Sequence, residues 1–548
     1  MIASKGRQIP LTEGLTVEKA LVQLGIPAEG VLAVQQAGRV LELGEPITHD
    51  GELIPLTLQT EEGRRIYERS VRFLLLAAVN RVLPGQRVRI EYSVGGGVLL
   101  RMPGHDITES ETQAIAQQMH LLAEQNLPFE KKQWTLSDAK AYFASQGQAD
   151  KVALLSRRRL PYFTMYGLDG IWEYFYGAMV SRTGQASVFA LTWLPDRGIV
   201  LRLPTAEHPQ IAAPYVHRPK HLAVFDQSNE WCALLGVTNA SDVADMIEQH
   251  RFRQFIRLNE ALHDKAIAEI AEEISIQHRK IVLIAGPSSS GKTTFAERLA
   301  LHLRVIGLQP AVISLDNYYL NRDSIKPQAD GTIDLESIDT IDVPLFRTQM
   351  NALLDGEEVL LPTYAFDIGR RKEGGTPVRL TERSVLVIEG IHGLNPMLCE
   401  GLKQDELYRI FVSALTCINL DDHNRIRTTD VRLLRRIVRD RQFRATPPEQ
   451  TLSMWASVRR GEEKWIFPYQ ENADRMFNTA LHYELPVLRR YAYDILKQIP
   501  PEKETYLASR RLIKTLNYFP EIDDSILQEI PPLSLLREFI GGCTIEMD

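Results

Sequence analysis

Apolar residues recur at helix or strand spacing along most of the chain, and the first 60 residues combine both patterns. Residues 17–24 predict a helix that ends before Gly25, and the apolar runs at 31–34 and 52–58 predict strands between turns. We therefore expect a small module of mixed helix and strand over residues 1–60.

From residue 61 the pattern predicts a second unit of helices and strands. A helix covers residues 61–82 and stops at Pro84, and a second long helix covers residues 110–126. Strands are predicted at 88–92, at 97–102 and again before Pro204, so residues 61–220 form an α+β domain. Pro209, Pro214 and Pro219 mark a linker, and residues 221–278 are interpreted as linker followed by an amphipathic helix over 252–276.

The segment from Ile281 onward is the most informative in the chain. Four apolar residues predict a short buried strand, the loop G-P-S-S-S-G-K-T-T follows, and the residues after it predict an amphipathic helix. Strand, glycine-rich loop and helix form the context of a P-loop, whose backbone N–H groups and helix N-terminus bind phosphate. Lys292 can reach the β- and γ-phosphates, and the Thr293 hydroxyl can ligate Mg²⁺. The predicted triphosphate-binding residues are Gly286, Ser288, Ser289, Ser290, Gly291, Lys292, Thr293 and Thr294.

Two carboxylates follow later predicted strands. Asp316 ends the strand at 311–315, which we place beside the P-loop strand, and Glu389 ends the apolar strand at 384–388. Asp316 could accept a proton from an attacking hydroxyl or help to hold Mg²⁺, and Glu389 occupies the position of a Walker-B acid. Either residue could instead be an acid in an exposed loop.

An arginine-rich segment follows over residues 430–444. Arg432, Arg436 and Arg439 fall three or four residues apart, with Arg435 beside Arg436, and therefore share a helical face. In a chain with a triphosphate site, such a face favours a lid that excludes water and neutralises charge over the phosphates. The alternative is a basic face exposed to solvent.

Between these elements, Asp334 offers a carboxylate suited to vicinal hydroxyls, and Tyr364 and Phe366 offer faces suited to stacking on a base. A loop acid and two core aromatics explain these three residues equally well.

Composition narrows the class of protein. The chain has 548 residues and a net charge of -7, which argues against a general nucleic-acid or membrane binder. Its four cysteines show no metal-binding spacing and indicate reduced thiols in a cytoplasmic protein. The first residues lack the apolar core of a signal peptide.

Over about residues 280–480, the ordered motifs resemble the uridine kinase and phosphoribulokinase family. They are G-P-S-S-S-G-K-T-T, S-L-D-N-Y-Y, Asp334, P-T-Y-A-F, I-E-G-I and R-L-L-R-R-I-V-R-D. The resemblance implies a P-loop kinase domain over 279–490, of α/β class with a mostly parallel sheet and an arginine lid. It implies ATP and Mg²⁺ as cofactors, with Mg²⁺ held by Thr293, Glu389 and Asp316. It also implies roles for individual residues: Asp316 as the base at a nucleoside 5′-hydroxyl, Asp334 on the ribose, Tyr319, Tyr364 and Phe366 around the nucleoside, and Arg436, Arg439 and Arg444 on phosphates and substrate.

Three positions depart from the family pattern. Gly369 stands where the family has a base-contacting His, Thr446 replaces the second arginine of R-G-R, and Met454 replaces a Gln. A side chain that hydrogen-bonds to the base discriminates strongly between different bases. Because these changes remove such side chains, they leave open which base the nucleoside carries. An insertion at 421–429 also precedes the lid, and the sequence assigns it no role.

The first half of the chain resembles the front end of threonyl-tRNA synthetase. Residues 1–60 resemble its TGS module, a β-grasp fold, and residues 61–220 resemble its editing domain. Arg69, Phe73, Phe175 and Met179 stand where that domain carries His, His, Cys and His. None of the four can bind zinc or move protons there, so we expect no editing hydrolysis, and a binding, regulatory or scaffolding role stays open. Residues 491–548 are expected to form a helical extension.

The leading hypothesis is transfer of the ATP γ-phosphoryl group to the 5′-hydroxyl of a nucleoside, uridine first and cytidine second. Lys292, Arg436 and Arg439 would stabilise the transferred charge. A second hypothesis keeps the fold and changes the acceptor to another sugar-like alcohol or a purine nucleoside. A third is a regulatory NTPase whose first half binds tRNA or other RNA, against which the net charge argues. We expect no membrane partner, and a homo-oligomer is left open.

Overall fold

The computed structural model describes residues 1–158, 161–325, 334, 336–365 and 368–544. The first 56 residues fold as two three-stranded sheets around one helix, which agrees with the mixed pattern of their sequence. The helix is Val17–Gln23, capped by the Thr16 side chain, and its apolar face packs into a buried core with both sheets. The strands are Ile2–Ser4, Arg7–Ile9 and Gly51–Glu52 in one sheet and Ala33–Gln36, Arg39–Glu42 and Ile54–Leu56 in the other.

The second unit packs two long helices against an antiparallel sheet. The first helix, Glu61–Val82, is buried along most of its length, and the second, Glu109–Glu124, starts at a capping box on Thr108. The four-stranded sheet contains Arg89–Val94, Gly97–Arg101, Ala190–Leu194 and Gly198–Arg202. A three-stranded sheet of Glu130–Thr135, Tyr162–Leu168 and Ile171–Glu173 carries the helices Leu136–Ser145 and Ala149–Ser156.

The region interpreted as linker is helical instead. Helices Pro219–Leu235 and Ala240–Glu248 precede the expected helix, Phe252–Ile276. Pro219 was assigned to a linker, but proline fits the first turn of a helix because the N–H group it lacks has no partner there. The expected boundary after residue 220 therefore falls inside a helix.

The third unit is built on five parallel strands. Their order across the sheet is Gln309–Ser314, Ser384–Glu389, Ile281–Ala285, Leu407–Ser413 and Arg475–Asn478. All five residues of the third strand, which leads into the P-loop, are buried. The helices of this unit are Lys292–Val305, Val343–Leu354, Pro396–Cys399, Thr428–Phe443, Pro448–Trp465 and Glu484–Lys497. Short two-stranded pairs join Val359–Leu361 to Thr376–Val378 and Tyr364–Ala365 to Arg370–Arg371.

The last residues form helices Tyr506–Leu516, Asp524–Leu527 and Arg537–Ile540. Leu535 and Phe539 belong to the same buried cluster as Val282 and Ile284 of the P-loop strand. The extension is thus part of the core of the third unit, and the expected boundary after residue 490 falls within helix Glu484–Lys497.

The insertion at 421–429 has a structural role that the sequence did not reveal. Strands Asn419–Asp421 and Asn424–Arg425 form a hairpin, which we call the docking hairpin, residues 419–425. The Lys151 Nζ lies 2.8 Å from a Glu173 oxygen and 2.9 Å from an Asp421 oxygen, and all three side chains are buried. Since Lys151 and Glu173 belong to the second unit, the hairpin joins that unit to the kinase-like unit.

Within the described part of the chain, no helix is both long and apolar enough to cross a membrane.

Candidate active site

The P-loop connects strand Ile281–Ala285 to helix Lys292–Val305. Gly291, the residue before the helix, has φ +83°, a conformation that strongly favours glycine. At Gly286 a Cβ would lie 2.1 Å from the Val412 carbonyl oxygen of the neighbouring strand, so only glycine fits there. These two glycines let the loop turn tightly over the end of the sheet.

The loop presents polar atoms that lack protein partners. The Ser289 and Ser290 hydroxyls are buried and have no hydrogen-bond partner among the described residues. Buried hydroxyls are usually hydrogen-bonded, so these two can receive a ligand at little cost. They lie just before the N-terminus of helix Lys292–Val305, which favours negative charge. The loop therefore fits a polyphosphate.

Two carboxylates lie at the same edge of the sheet. Glu389 ends the strand next to the P-loop strand, and Asp316 follows the strand beyond it. The expectation that the strand before Asp316 adjoins the P-loop strand is wrong, because strand Ser384–Glu389 lies between them. Asp316 still reaches the site, since the short 3-10 helix Leu315–Tyr318 follows its strand and carries the residue.

Burial dominates the electrostatics of this pair. It raises the pKa of Glu389 to about 7, with a further increase from the charge of Asp316, while Lys292 and a hydrogen bond from Ser314 oppose the rise. The Ser314 hydroxyl donates to the Glu389 Oε1 over 2.9 Å. Burial also raises the pKa of Asp316, against the opposing charges of Lys292 and Arg444. An acid with a raised pKa can hold and release a proton near neutral pH.

The donors for a divalent cation are few. No cluster of three or more His, Cys, Asp or Glu residues among the described residues could hold a metal by itself. Mg²⁺ is usually held by one or two carboxylates together with substrate phosphates and water, so Thr293, Glu389 and Asp316 fit that requirement.

The arginine-rich helix, Thr428–Phe443, covers the P-loop and divides its arginines between two tasks. Arg432 and Arg435 are fully buried; Arg432 donates to the Ser288 carbonyl oxygen and pairs with Glu462, and Arg435 pairs with Glu484. Arg436 instead donates from Nη1 to the Ser288 hydroxyl over 2.9 Å. Arg444, just after the helix, lies 3.3 Å from an Asp440 oxygen and is half exposed. The first pair fixes the helix in place, and Arg436 reaches the loop.

Glu538, from the last helix of the chain, enters the same site. Its Oε2 accepts from the Thr294 hydroxyl over 3.0 Å, and its Oε1 lies 3.1 Å from the Arg439 Nη1. Its neighbour Phe539 lies under the guanidinium groups of Arg435 and Arg439, at 5.1 and 5.8 Å. Sequence reasoning missed Glu538, because no local motif marks it and it lies far along the chain from the P-loop.

The predicted nucleoside residues are only partly described. The Tyr319 and Tyr364 rings lie 5.8 Å apart between centroids, and Phe366 lies outside the described residues. Asp334 accepts from the Trp465 indole N–H over 3.1 Å. Glu336 lies close by, and its pKa is raised by burial and by Glu462. Sequence reasoning missed Glu336, and its position two residues after Asp334 is the sequence feature that could have indicated it.

A residue with a side chain at the position of Gly369, where the family has a base reader, would have a strained backbone and would displace Arg322. The φ of Gly369 is +68°, and a Cβ would lie 2.5 Å from the Arg322 Cδ. The Arg322 backbone N–H also donates to the Gly369 carbonyl oxygen over 3.0 Å. Arg322 therefore occupies the space beside residue 369.

In the second unit, the four positions that resemble an editing centre are filled by packed side chains. Phe73 and Phe175 are buried with ring centroids 5.4 Å apart, and Met179 is also buried. Arg69 lies 2.7 Å from a Glu62 oxygen, and its guanidinium leaves no room for a Cβ at Gly177.

A parallel sheet with a P-loop at its central strand, an acid on the adjacent strand and an arginine-bearing lid defines a P-loop kinase. The phosphoribulokinase and uridine kinase family matches residues 281–484. A uridine kinase of Halobacterium salinarum is 31% identical over 195 residues, which are 35% of this chain and 76% of that protein. The chain belongs to the phosphoribulokinase and uridine kinase family and is a phosphotransferase with an alcohol acceptor.

Two further comparisons complete the description. A threonine–tRNA ligase of Halorhodospira halophila is 28% identical over 159 residues, 28% of this chain and 24% of the ligase. The solved structure of a possible uridine kinase from Bacillus stearothermophilus is 18% identical, covers 36% of this chain and 89% of its own, and has a TM-score of 0.25.

Proposed function

We propose that the chain transfers the γ-phosphoryl group of ATP to the 5′-hydroxyl of a nucleoside, uridine or cytidine. The product would be the nucleoside 5′-monophosphate, with ADP released. Uridine kinase relatives support a nucleoside acceptor, and the P-loop with its unpartnered hydroxyls supports a triphosphate donor.

The observation that carries the proposal is the half-buried Asp316 at the P-loop edge of the sheet. In the proposed mechanism, the nucleoside 5′-oxygen attacks the γ-phosphorus, the bond to the β-phosphate oxygen breaks, and Asp316 takes the hydroxyl proton. Its raised pKa makes it a stronger proton acceptor than an ordinary aspartate. Lys292, Arg436 and Arg439 offset the negative charge on the transferred group.

The same arrangement of residues supports binding roles for Mg²⁺, the triphosphate and the nucleoside. Thr293, Glu389 and Asp316 would hold Mg²⁺, which would offset the negative charge of the phosphates when bound. The triphosphate would contact Gly286, Gly291, Thr294, the three loop serines and Arg444. Tyr319, Asp334, Tyr364 and Arg439 would contact the nucleoside. In this assignment, the Trp465 indole N–H and the Glu336 backbone N–H each donate to one Asp334 oxygen and orient the carboxylate towards the ribose hydroxyls.

The test is acceptor-dependent turnover. Purified full-length protein is mixed with Mg²⁺ and ATP, and ADP release is followed with uridine, cytidine, adenosine, guanosine, ribulose 5-phosphate or no acceptor. We expect turnover with uridine or cytidine and little without an acceptor. Turnover independent of any acceptor would overturn the proposal.

A second acceptor class is favoured by one observation. Gly369 stands where the family carries its base-contacting His and has no side chain with which to read a base, and Arg322 packs beside it. We therefore propose, as the alternative, that the acceptor is a purine nucleoside or another sugar-like alcohol. Turnover in the same panel confined to adenosine, guanosine or ribulose 5-phosphate would select this alternative.

For the first half of the chain, we propose a TGS-like β-grasp module at 1–60 and an editing-like domain without hydrolytic residues at 61–220. The similarity to threonine–tRNA ligase supports this assignment.

A further inference from the structure

A large cavity lies away from the proposed kinase site, and no residue of the P-loop lines it. Its volume is about 1930 Å³, well above the roughly 300–1,000 Å³ of a common small-molecule pocket. Five parts of the chain form most of its walls: the first module near Gly38, helix Glu61–Val82, the three-stranded sheet of the second unit with the segments beside it, the docking hairpin with the residues after it, and the C-terminal helices. A single ligand could therefore touch every unit of the protein.

The lining is strongly basic, in contrast to the acidic chain. Fourteen lining residues are Arg or Lys, whereas five are Asp or Glu. Such an excess in a concave site raises the local concentration of anions.

The basic groups converge in what we call the arginine cluster, Arg65, Arg69, Arg72, Arg425 and Arg427. The first three are spaced four and three residues apart on helix Glu61–Val82 and are more than nine-tenths buried. The other two come from the end of the docking hairpin and the residues just after it. Two distant parts of the sequence thus bring their arginines to one wall.

The cluster has less counter-charge than it needs. Glu68 alone serves three guanidinium groups, with distances of 2.5 Å to Arg427, 3.4 Å to Arg425 and 4.0 Å to Arg72. Asp430 and Glu61 both pair with Arg65, and Glu62 pairs with Arg69. The Nε atoms of Arg72 and Arg425 are buried and have no hydrogen-bond partner within the described ranges. A buried cation without full pairing is costly, so the cluster favours an added anion.

The electrostatics agree with that geometry. Burial lowers the pKa of Arg72 to about 10 and that of Arg427 to about 9, although Glu68 opposes both shifts. A bound phosphate would reverse these shifts by stabilising the charged forms.

The rest of the wall is aromatic. Ten Tyr or Phe residues line the cavity. Tyr176 makes edge contacts with Tyr174 and Tyr518 at 4.8 and 5.3 Å between ring centroids. Tyr493 and Tyr506 are half-buried beside them on the C-terminal helices. Rings of this kind provide faces on which a planar base can stack.

We propose that this cavity is a second nucleotide-binding site, which takes a free nucleotide with its terminal phosphate in the arginine cluster and its base on the aromatic wall. The burial of Arg65, Arg69 and Arg72 favours a terminal phosphate over a phosphate within a polymer, because a continuing strand would have to leave the buried end. This site is independent of the proposed kinase reaction.

The test measures binding to full-length protein by equilibrium dialysis with labelled ATP, GTP, UTP and CTP. Lys292→Met serves as the background, so that binding at the P-loop is weakened. We expect one saturable site for at least one of the four nucleotides. Adding Arg72→Met should weaken it about tenfold or more, because a charge-assisted contact to phosphate is lost.

Two further variants keep the result interpretable. Lys514→Ala removes a cavity charge from the exposed side of a C-terminal helix and should also weaken binding if Arg72→Met does not fold. Lys265→Ala is the matched control, since this lysine is 76% exposed and, among the described residues, its ion-pair partner is Glu269 on its own helix. Affinities unchanged in both cavity variants would overturn the proposal. Equally tight binding of inorganic triphosphate, or binding confined to transfer RNA or single-stranded RNA, would also overturn it.

Discussion

The Glu538 carboxylate accepts hydrogen bonds from side chains that the proposed reaction needs for ATP. The substitution Glu538→Gln tests directly whether Glu538 competes with ATP for them. The carboxylate is 7% exposed and accepts from Thr294 and Arg439 at 3.0 and 3.1 Å. Both partners are in the proposed ATP-binding and catalytic set. A triphosphate must therefore compete with a buried carboxylate already in place.

The size of the effect follows from these two contacts. A glutamine keeps one acceptor oxygen, so at least one of the two hydrogen bonds to Glu538 is lost. A hydrogen bond to a charged group contributes about 1.5–3 kcal/mol net, and about 1.4 kcal/mol corresponds to tenfold in affinity. We expect the KM for ATP to fall by about tenfold while kcat changes by less than about threefold.

The assay is steady-state ADP release at saturating acceptor with ATP varied, together with direct measurement of the Kd for ATP. Glu529→Gln is the matched control, because Glu529 lies in the same extension and pairs with Arg253 and Arg257, away from the P-loop. It should leave the KM unchanged. A KM for ATP that rises or stays the same in Glu538→Gln would refute the competition and identify Glu538 as a residue that positions Thr294.

Three other predictions concern the acids and the docking hairpin. Asp316→Asn should lower kcat by about 10²–10⁴ and leave the Kd for ATP within about threefold, and wild-type-like turnover would refute its role as base. Because burial raises the pKa of Glu389 to about 7, the folded protein binds its proton below that pH, and Mg²⁺ needs the carboxylate. We expect kcat/KM to rise from roughly pH 6 to roughly pH 8, whereas the contribution of Glu389 to the free energy of unfolding falls as pH rises from 4.5 to about 7. A flat profile through pH 7 would contradict this assignment. Lys151→Met should lower the free energy of unfolding by about 3–5 kcal/mol in urea titration, since it leaves Glu173 and Asp421 buried without their cation. The exposed Lys132→Met should change it by about 0.5 kcal/mol or less, and equal effects of the two variants would contradict the role given to the hairpin.

The sequence predicted well the features that depend on neighbouring residues. The strand, loop and helix around Lys292 are local, and the structure confirms them. The helix over residues 252–276 is also confirmed, because its apolar periodicity is long.

The features that the sequence did not predict depend on packing between distant segments. The order of strands in the sheet depends on crossovers, and so the strand before Asp316 lies one place further from the P-loop strand than expected. Glu538 reaches Thr294 only because the end of the chain packs against the lid helix. The docking hairpin carries no chemical motif, and its role emerged only from its contacts with Lys151 and Glu173.

The docking hairpin also determines how the lid can move. The lid helix begins at Thr428, three residues after the hairpin, and its Asp430 pairs with Arg65 of the second unit and with Arg511 of the C-terminal extension. The start of the helix is thus fixed to the rest of the molecule, while Arg439 and Arg444 lie towards its far end. Arg432 and Arg435 also fix the middle of the helix through Glu462 and Glu484. Opening over the P-loop would therefore displace mainly the end of the helix that carries Arg439 and Arg444, while the half that follows the docking hairpin stays attached to the rest of the molecule.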